Sequence, residues 1–336
     1  MTASPTLDVA RSPVVVDAMT LSLSIEAPSP VTPDVEAAYH RPPASTIVAN
    51  VVAVVVPFLG LIAAVIMIWH SPFSWLNLSM FFGGYVITTL GITLGYHRLF
   101  THRSFKAGPV VSGVLGVLGS MAIQGSILQW VSTHRRHHQH TDAPDDPHSP
   151  HAFGDGFKGA LRGMYHSHLG WFFTDGPDRE AMNRYVPDLL ADPVVRSVSK
   201  YFGMWAILSL IIPAVVGLAV TGTWFGALMA LLWGGLLRVF FVHHVTFSVN
   251  SVCHLWGRQP FNTHDESRNN LVMGILAMGE GWHNTHHAFP ASARHGLAWW
   301  ELDVSYWLIR AMAAVGLARD VRLPPADRVK AKRRVK

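Results

Sequence analysis

Four long apolar runs constrain the fold of this 336-residue chain more than any other feature of its sequence. Residues 47–69 carry no charged side chain, and at ~1.5 Å per helical residue they reach across the ~30 Å hydrocarbon core of a bilayer. Pro57 lies inside this run, which membrane helices tolerate. Similar runs occupy residues 75–96, 201–220 and 224–247. We therefore expect an all-α integral membrane protein with four transmembrane helices.

The overall composition agrees with this expectation. Only 14% of the residues are charged, whereas soluble domains carry about 25%. Such a chain is neither mainly disordered nor a nucleic-acid binder whose formal charge of +5 is spread over its fold. Cys253 is the only cysteine, so the fold contains no internal disulfide. The unusual count is 20 histidines against 21 acidic residues, which makes this a histidine-rich membrane protein.

The sequence divides into three parts. Residues 1–45 are rich in Pro, Ser, Thr and Val without helical periodicity, so we expect a flexible N-terminal tail. Residues 46–315 contain the four apolar runs and form the membrane domain. Residues 316–336 form a basic C-terminal tail, which we expect to be solvated beside anionic lipid.

The distribution of Lys and Arg predicts the orientation of the chain in the membrane. The two short turns that join the predicted helices, 70–74 and 221–223, contain neither Lys nor Arg. Basic residues instead populate 98–106, 135–136, 158–200 and the C-terminal tail. By the positive-inside rule, these segments and both termini face the cytoplasm, and both hairpins point outward.

The run 109–131 is long and uncharged enough to span a membrane. If it did, histidines 97 and 102 before it and histidines 134–138 after it would lie on opposite faces. A shared metal site would then be impossible. We therefore interpret this run as a helix that lies in the interface or is buried in the cytosolic part.

Three short sequences concentrate the histidines: HRLFTH (97–102), HRRHH (134–138) and HNTHH (283–287). Spacings of three and four residues put the histidines of the second and third sequences on one helical face each. In the first sequence the two histidines reach a common metal only if the helix ends or bends nearby. Neutral imidazole is a ligand for iron, zinc, copper or nickel. Eight such ligands exceed the needs of one ion and fit two.

Other histidines and one arginine are weaker candidates. His254, at the predicted end of the fourth span, is weak as a single residue. His243 and His244 lie inside that span and are expected to pack rather than to bind metal. Arg238, also inside it, either snorkels or is paired. Seven further histidines lie in polar loops, where surface roles are expected for most of them: His140, His148, His151, His166, His168, His264 and His295.

Four ordered strings carry a family resemblance. They are GITLGYHRLFTHRSF (91–105), HRRHHQHTD (134–142), VNSVCH (249–254) and EGWHNTHHAFPASARHGLAWWELD (280–303). With these strings the chain resembles the membrane-bound fatty-acid desaturases, and specifically their delta-9 acyl members, over roughly residues 45–310. The C-terminal string is more similar to bacterial, cyanobacterial and plant members. A bacterial cell membrane is therefore the expected location.

The resemblance implies a fold and a ligand set. The fold is four transmembrane helices under a cytosolic helical cap that holds a non-haem di-iron centre, with O2 as co-substrate. An asparagine, here Asn250, reaches one iron through water. Nine histidines bind the two irons directly: His97, His102, His134, His137, His138, His254, His283, His286 and His287.

The function expected from the resemblance is an O2-dependent desaturase that introduces a cis double bond, at delta-9, into a saturated long-chain fatty acyl group. A CoA thioester is the first choice of carrier, because basic loop residues could bind its phosphates. These residues are Arg98, Arg103, Lys106, Arg135, Arg136, Lys158 and Arg162. Animal acyl-CoA desaturases carry an Arg-Asp pair immediately before the second histidine sequence, where this chain has Ser132-Thr133. The alternatives are an acyl-lipid desaturase, a membrane di-iron hydroxylase and a metal transporter.

Further groups have expected supporting roles. Carboxylates would orient the free ring nitrogens of the ligands, with Asp142, Asp265, Glu280 and Glu301 as candidates. Tryptophans beside the histidine sequences line an acyl tunnel or pack in the core: Trp130, Trp256, Trp282, Trp299 and Trp300. No nucleotide-binding fingerprint is present, so electrons must come from a separate donor, such as a ferredoxin, a cytochrome b5-like protein or a flavin reductase. The basic tail, including 328–336, could dock an acidic donor.

Overall fold

The computed structural model describes residues 39–40, 42–71, 73–174, 176–177 and 179–335. Most of the predicted N-terminal tail therefore lies outside the described residues. From Ala44 onward the described chain is mostly helical, as the sequence predicts.

In chain order, the helices are α1 (Ala44–His70), α2 (Trp75–Leu90), α3 (Pro109–Ser120), α4 (Ile127–His140), α5 (Gly156–Tyr165), α6 (Trp171–Thr174), α7 (Arg179–Tyr185), α8 (Pro187–Ala191), α9 (Pro193–Lys200), α10 (Phe202–Thr221), α11 (Trp224–Ala230), α12 (Arg238–Leu255), α13 (Leu271–Leu276), α14 (His283–Ala288), α15 (Val304–Ala314) and α16 (Ala326–Lys332). Segments of π-helix continue three of them: Gly91–Thr101 after α2, His166–Gly170 after α5 and Leu231–Leu237 after α11. Short antiparallel strands pair as β1 (Tyr39–His40) with β3 (Gly176–Pro177) and β2 (Lys106–Ala107) with β4 (Ala318–Arg319).

In the described chain, four helices are long and apolar enough to cross a membrane, which confirms the prediction. They are Ala44–His70, Trp75–Thr101, Phe202–Thr221 and Trp224–Leu255. The fourth span runs well past its predicted end at residue 247. Only 17% of the most apolar window of the first and third spans is buried inside the protein, against 56% for the fourth span. The first and third spans thus offer most of their apolar surface to lipid.

Small residues bring α3 close to the second span. A Cβ atom on Gly91 would lie 2.2 Å from the backbone nitrogen of Gly119, and a Cβ atom on Gly119 would lie 2.5 Å from the ring of Tyr96. Only glycine allows this approach. The Tyr96 hydroxyl is buried and lies 2.9 Å from Ser120 Oγ. The close packing expected from the small residues of 109–131 is therefore present in α3.

The run 109–131 does not form one helix, contrary to the sequence interpretation. α3 ends at Ser120 and α4 begins at Ile127. Between them, Ile123 and Gly125 have left-handed backbone, with φ of 59° and 98°. With 12 residues, α3 is too short to cross a membrane, so the two histidine sequences on either side are not separated by a span.

Buried polar side chains from the spans satisfy the carbonyl groups of this break. Arg238 donates to the carbonyl of Met121 at 2.9 Å, and Ser209 Oγ donates to the same oxygen at 2.6 Å. His243 Nε2 donates to the carbonyl of Ala122 at 2.9 Å. Arg238 is therefore paired inside the protein rather than snorkelling, and His243 packs as expected of a histidine that binds no metal.

The helices outside the spans form a cap on the ends of the second and fourth spans. One arginine joins three of its parts: Arg135 on α4 donates to the carbonyls of Phe100 and Tyr185, at 2.8 and 2.9 Å. Its guanidinium also donates to both carboxylate oxygens of Asp188, at 2.6 and 3.0 Å. These bonds anchor α4 to its neighbours and set its position in the cap.

The C-terminal residues pack along the cap rather than extending into solvent. β4 pairs with β2, and the amide of Asn262 donates to the carbonyl of Lys332 at 2.8 Å. The amide of Arg334 donates to the carbonyl of Pro260 at 2.9 Å. The segment that the sequence analysis separated as a basic tail, 316–336, is thus docked on the cap as far as residue 334.

Candidate metal centre

The first histidine pair lies where the second span widens into a π-helix. The amide of His102 donates to the carbonyl of His97 at 3.1 Å, the i→i+5 bond of a π-helix. Histidines five residues apart are therefore one turn apart, and their ring centroids are separated by 4.8 Å. The sequence analysis required a bend or an end of the helix here, and the wider helical turn meets the same need.

The second group lies on α4, where the predicted spacing puts His134, His137 and His138 on one face. The first turn of α4 is fixed by a capping box, in which Ser126 accepts a bond from the amide of Gln129. Together with the anchoring of Arg135, this cap sets the rotation of α4. The three imidazoles consequently point into the cap.

The third group lies on α14, a helix of only six residues. Asn269 accepts from the amide of Thr285 at 3.0 Å and donates to its hydroxyl at 2.9 Å. The side-chain oxygen of Asn284 accepts from the amide of Phe261 at 2.9 Å. So short a helix is not stable alone. These bonds from the preceding loop hold α14, and thus His283, His286 and His287, in place.

The nine predicted histidine ligands converge in two groups. We call the first the five-histidine cluster, and it consists of His97, His102, His134, His138 and His286. We call the second the four-histidine cluster, and it consists of His137, His254, His283 and His287. Within each cluster, one nitrogen from every ring lies within 4.8 Å of all the others. His254, which sequence reasoning alone left weak, is fully part of the second cluster.

The distances between ring nitrogens fit metal ligation. In the five-histidine cluster, His286 Nε2 lies 3.1 Å from His97 Nε2 and 2.9 Å from His138 Nε2. In the four-histidine cluster, His283 Nε2 lies 3.0 Å from His254 Nε2 and 3.1 Å from His287 Nε2. A metal that binds imidazole at about 2.1 Å holds neighbouring ligand nitrogens roughly 3.0 to 3.4 Å apart. Each cluster therefore has the spacing of a coordination shell.

The protonation of these rings also suits metal binding. Burial, and then the proximity of the other imidazoles, keeps the pKa values of five of them well below the usual value of 6.5. These five are His102, His134, His138, His283 and His286. They are thus neutral at pH 7, as ligands must be. His102 Nε2 is buried and has no hydrogen-bond partner in the described chain, which is costly unless a cation binds it.

Three aspartates orient the four-histidine cluster. The Nδ1 atoms of His254, His287 and His137 each lie 3.0 Å from a carboxylate oxygen, of Asp142, Asp265 and Asp146 respectively. Burial alone would raise the aspartate pKa values, but the bonds to these histidines hold them well below their usual range. An ionised carboxylate on Nδ1–H directs Nε2 at the metal.

Two of these aspartates, Asp142 and Asp265, were candidates from sequence, whereas Asp146 was missed. Its signal was available, because the acidic string TDAPDDPH begins immediately after α4. Of the other candidates, Glu280 contacts His97 Nδ1 at 2.5 Å. Glu301 does not take the expected role: it accepts bonds from Asn269 Nδ2 and the amide of Ala298.

Glu280 belongs to a buried ionic network that sequence reasoning did not find. The guanidinium of Arg98 is buried between Asp303, at 3.0 Å, and Glu280, at 3.4 Å. Burial alone would raise the pKa of Glu280, but His97 and Arg98 beside it hold that pKa well below its usual value. His295, expected at the surface, is completely buried in this network, 3.4 Å from Glu280.

His148 was also expected at the surface and is buried as well. Its ring lies against that of His137, with centroids 4.3 Å apart, and its amide donates to Asp146 at 3.0 Å. Burial lowers the pKa of His148 to about 3. His148 therefore packs behind a cluster member as a neutral imidazole.

A cavity reaches His134 of the five-histidine cluster. Its lining includes His134 and Asn250, the residue expected to reach a metal through water, which lies one helical turn before His254 on α12. Most of its surface is apolar, and α1, α4 and α12 all contribute to it. Among the tryptophans expected to line a tunnel, Trp130 lines this cavity. Trp282 and Trp300 line a different groove.

Comparison with known proteins decides what kind of protein holds these two clusters. The family model described as fatty acid desaturase matches residues 73–321 of the chain. The chain belongs to the fatty acid desaturase family. The matched region contains all nine clustered histidines and the four carboxylates bound to them.

Curated relatives are similar over most of their length. A hex-5-enoyl-[acyl-carrier protein] acetylenase from Moorena producens is 40% identical over 281 residues, covering 83% of this chain and 87% of the relative. An sn-1 stearoyl-lipid 9-desaturase from Anabaena variabilis is 38% identical, covering 79% of this chain and 92% of the relative. An icosanoyl-CoA 5-desaturase from Limnanthes douglasii is 38% identical, covering 75% and 67%. The relatives of this family member thus differ, by their names, in acyl carrier and in the bond they form.

Proposed function

We propose that the protein is an O2-dependent desaturase that introduces a cis double bond, at delta-9, into a saturated long-chain fatty acyl group. The observation that carries this proposal is the convergence of nine buried or half-buried histidines from four segments of the chain into two clusters. The family match and the stearoyl-lipid 9-desaturase among the relatives support the reaction and the position of the bond.

The metal that we propose for each cluster is iron, because the reaction needs a redox-active ion and imidazole is a suitable ligand. When bound, two irons supply the O2 activation needed to remove hydrogen from an unactivated methylene pair. The chain itself holds the imidazoles in register. The carboxylates of Asp142, Asp146, Asp265 and Glu280 keep the ring nitrogens aimed, and the buried surroundings exclude water.

The acyl chain, in this proposal, occupies the cavity beside His134 and Asn250. Its largely apolar wall fits a saturated hydrocarbon. Ala53 and Val54, which lie inside the first span, are part of that wall. A cavity bordered by a lipid-facing span supports entry of the chain from the bilayer, with the reacting carbons beside the five-histidine cluster.

The carrier that we propose is a membrane glycerolipid. The CoA expectation depended on basic residues, several of which are already committed to carboxylates. Arg98 pairs with Glu280 and Asp303, Arg103 and Arg135 share Asp188, and Lys106 pairs with Asp320. These pairs leave less positive charge for the phosphates of CoA.

A CoA thioester remains the second candidate because two basic side chains are exposed on α5. Lys158 and Arg162 lie one helical turn apart there, and they form no ion pair within the described chain. An anionic carrier of either kind could bind this pair. The Limnanthes douglasii relative, named as an icosanoyl-CoA desaturase, supports keeping this candidate.

The test is expression in a host that makes no unsaturated fatty acids, with stearate labelled in its carbon chain and the His286→Ala variant as control. We expect a cis delta-9 alkene, mapped by mass spectrometry, that appears first in glycerolipid and is absent from the control. Label that appears first as unsaturated acyl-CoA would reject the glycerolipid carrier in favour of CoA. A hydroxylated chain without an alkene would overturn the desaturase proposal.

A further inference from the structure

A groove on the cap has so far no role. It includes Trp282, the residue directly before α14, and its walls contain three arginines and two tryptophans: Arg258, Arg333, Arg334, Trp282 and Trp300. The groove is distinct from the acyl cavity, with which it shares no lining residue.

The arginines are held on two facing segments. Arg258 follows the fourth span and forms two backbone hydrogen bonds with Asn269, at 2.9 and 2.6 Å. Arg333 and Arg334 lie on the docked C-terminal segment, which pairs with residues 260–262. Lys332 Nζ, next to them, donates to the carbonyl of Ala288 at the end of α14. These contacts hold the backbone of the basic residues in place near α14.

These charges are not used inside the protein. Arg258 and Arg333 are exposed, and within the part of the chain that the structure describes neither forms an ion pair. The guanidinium of Arg334 donates to the side-chain oxygen of Gln259, at 2.6 Å. The one carboxylate in the lining, Glu301, is occupied by Asn269 and the amide of Ala298. The groove is therefore complementary to a negatively charged partner.

The two tryptophans connect this surface to the four-histidine cluster. Trp300 is 40% exposed, and its ring meets that of Trp282 edge to face, with centroids 5.5 Å apart. Trp282 is only 1% exposed and directly precedes His283 in the chain. Contiguous aromatic rings thus run from the floor of the groove to the residue before a cluster member.

We propose that this groove docks an acidic one-electron carrier protein and that the Trp300–Trp282 pair is the entry path for its electrons. This inference rests on the proposed function, since desaturation consumes four electrons for each O2 reduced to two waters. Two come from the two C–H bonds that are broken, and two must come from outside. Each docking event would pass one electron from the carrier to the metal that the clusters would hold, so two events, together with two protons from solvent, would complete the balance of a turnover.

A protein carrier explains more of the groove than a lipid headgroup does. Arginines and an exposed tryptophan at the end of a span could also bind an anionic lipid. That occupant gives no reason for a buried tryptophan between the groove and His283. Redox partners, by contrast, form small and transient interfaces that depend on charge complementarity.

The docking experiment uses the iron-loaded, full-length enzyme in nanodiscs of zwitterionic phosphatidylcholine, with an acidic plant-type ferredoxin as probe. Binding is measured by biolayer interferometry, and anaerobic oxidation of reduced ferredoxin by stopped-flow absorbance. For Arg333→Glu/Arg334→Glu we expect binding and the second-order rate to fall about ten- to a hundredfold at low salt, and less at high salt. The control, Arg196→Glu/Arg319→Glu, makes the same charge change at exposed sites outside the groove.

The path is tested with Trp300→Leu, with Trp299→Leu as control. Trp299 is 92% exposed and does not line the groove. We expect Trp300→Leu to lower the electron-transfer rate at saturating ferredoxin with little change in affinity, and Trp300→Phe to restore part of it. Reduction by dithionite, a small diffusible reductant, should be the same in all variants.

Three results would overturn the proposal. The first is equal loss of ferredoxin binding in the groove and control double variants. The second is an unchanged saturating rate in Trp300→Leu. The third is a groove variant that loses affinity for phosphatidylglycerol nanodiscs yet oxidises ferredoxin at the normal rate, because the groove would then be a lipid site. Groove-dependent reduction without any acyl oxidation would keep this inference and reject the proposed function.

Discussion

The two histidine clusters are built from the same chemistry but are supported differently. In the four-histidine cluster, three of the four rings have Nδ1 against an aspartate. In the five-histidine cluster the corresponding support is Glu280 on His97, and Glu280 is itself paired with buried Arg98. The four-histidine cluster is therefore surrounded by more uncompensated negative charge than the five-histidine cluster.

Because of this difference, we expect the two clusters to differ in how tightly they bind metal. Carboxylates on Nδ1–H make imidazole a stronger donor and favour a higher charge on the metal. The five-histidine cluster has more imidazoles, less acidic support and the proposed acyl cavity beside it. We expect the four-histidine cluster to hold its metal more tightly and the five-histidine cluster to be the one exposed to substrate.

The largest expected effect comes from removing one ligand from each cluster. His283→Ala and His286→Ala each delete a ring whose Nε2 contacts two others. Both variants should lose desaturation, and metal analysis should find about one iron per chain instead of two. Full turnover in either variant would contradict the two-site account.

A smaller effect is expected from neutralising one supporting carboxylate. Asp265→Asn should weaken iron binding at the four-histidine cluster about 10- to 100-fold, and Glu280→Gln should do so at the five-histidine cluster. The measurement is iron retained against a graded chelator. Glu301→Gln is the matched control, because Glu301 bonds to Asn269 rather than to a ligand. Equal iron loss in all three variants would reject a specific role for these contacts.

The metal-free protein should lose stability in acid. Burial lowers the pKa of His287 to about 4 against a usual 6.5, and the pKa of His286 lies well below its usual value. Between about pH 6.5 and 4 the unfolded chain binds protons that the folded chain does not, so stability falls as pH falls. Thermal unfolding in detergent from pH 7 to 4 measures this slope, and His287→Gln should reduce it. A pH-independent midpoint would contradict the buried, neutral clusters.

The smallest effect should come from the residue behind Glu280. Asp303 pairs with Arg98 and also accepts from the amide of His295 at 2.7 Å. Asp303→Asn should lower iron retention only at the five-histidine cluster, and by less than Glu280→Gln, because it acts through Arg98. An effect confined to the four-histidine cluster would show that the two supports are not separate.

The sequence predicted the spans and the three local groups of histidines because both depend on local patterns. Apolar length identifies a span, and spacings of three and four put His134, His137 and His138 on one face. Ligand roles for these residues, and the irons themselves, stay predictions until metal is measured. Three of the four carboxylates could be predicted from the sequence, since Asp142, Asp265 and Glu280 follow or precede the histidine strings.

The features that escaped the sequence analysis depend on contacts between distant segments. The break at Met121 is stabilised by Arg238 and Ser209 from two spans. Neither the composition nor the length of the apolar run predicts these contacts. His295 is buried against Arg98, which lies 197 positions earlier in the chain. The C-terminal segment looked like a solvated charge run, yet its backbone pairs with residues 260–262. Residue type alone specifies none of these pairings.

The most direct test of the two-cluster account is anomalous X-ray scattering at the iron absorption edge from crystals of the purified, iron-loaded protein. Two separate peaks are predicted, one among His97, His102, His134, His138 and His286, and the other among His137, His254, His283 and His287. A single peak, or peaks outside these two groups, would contradict the account.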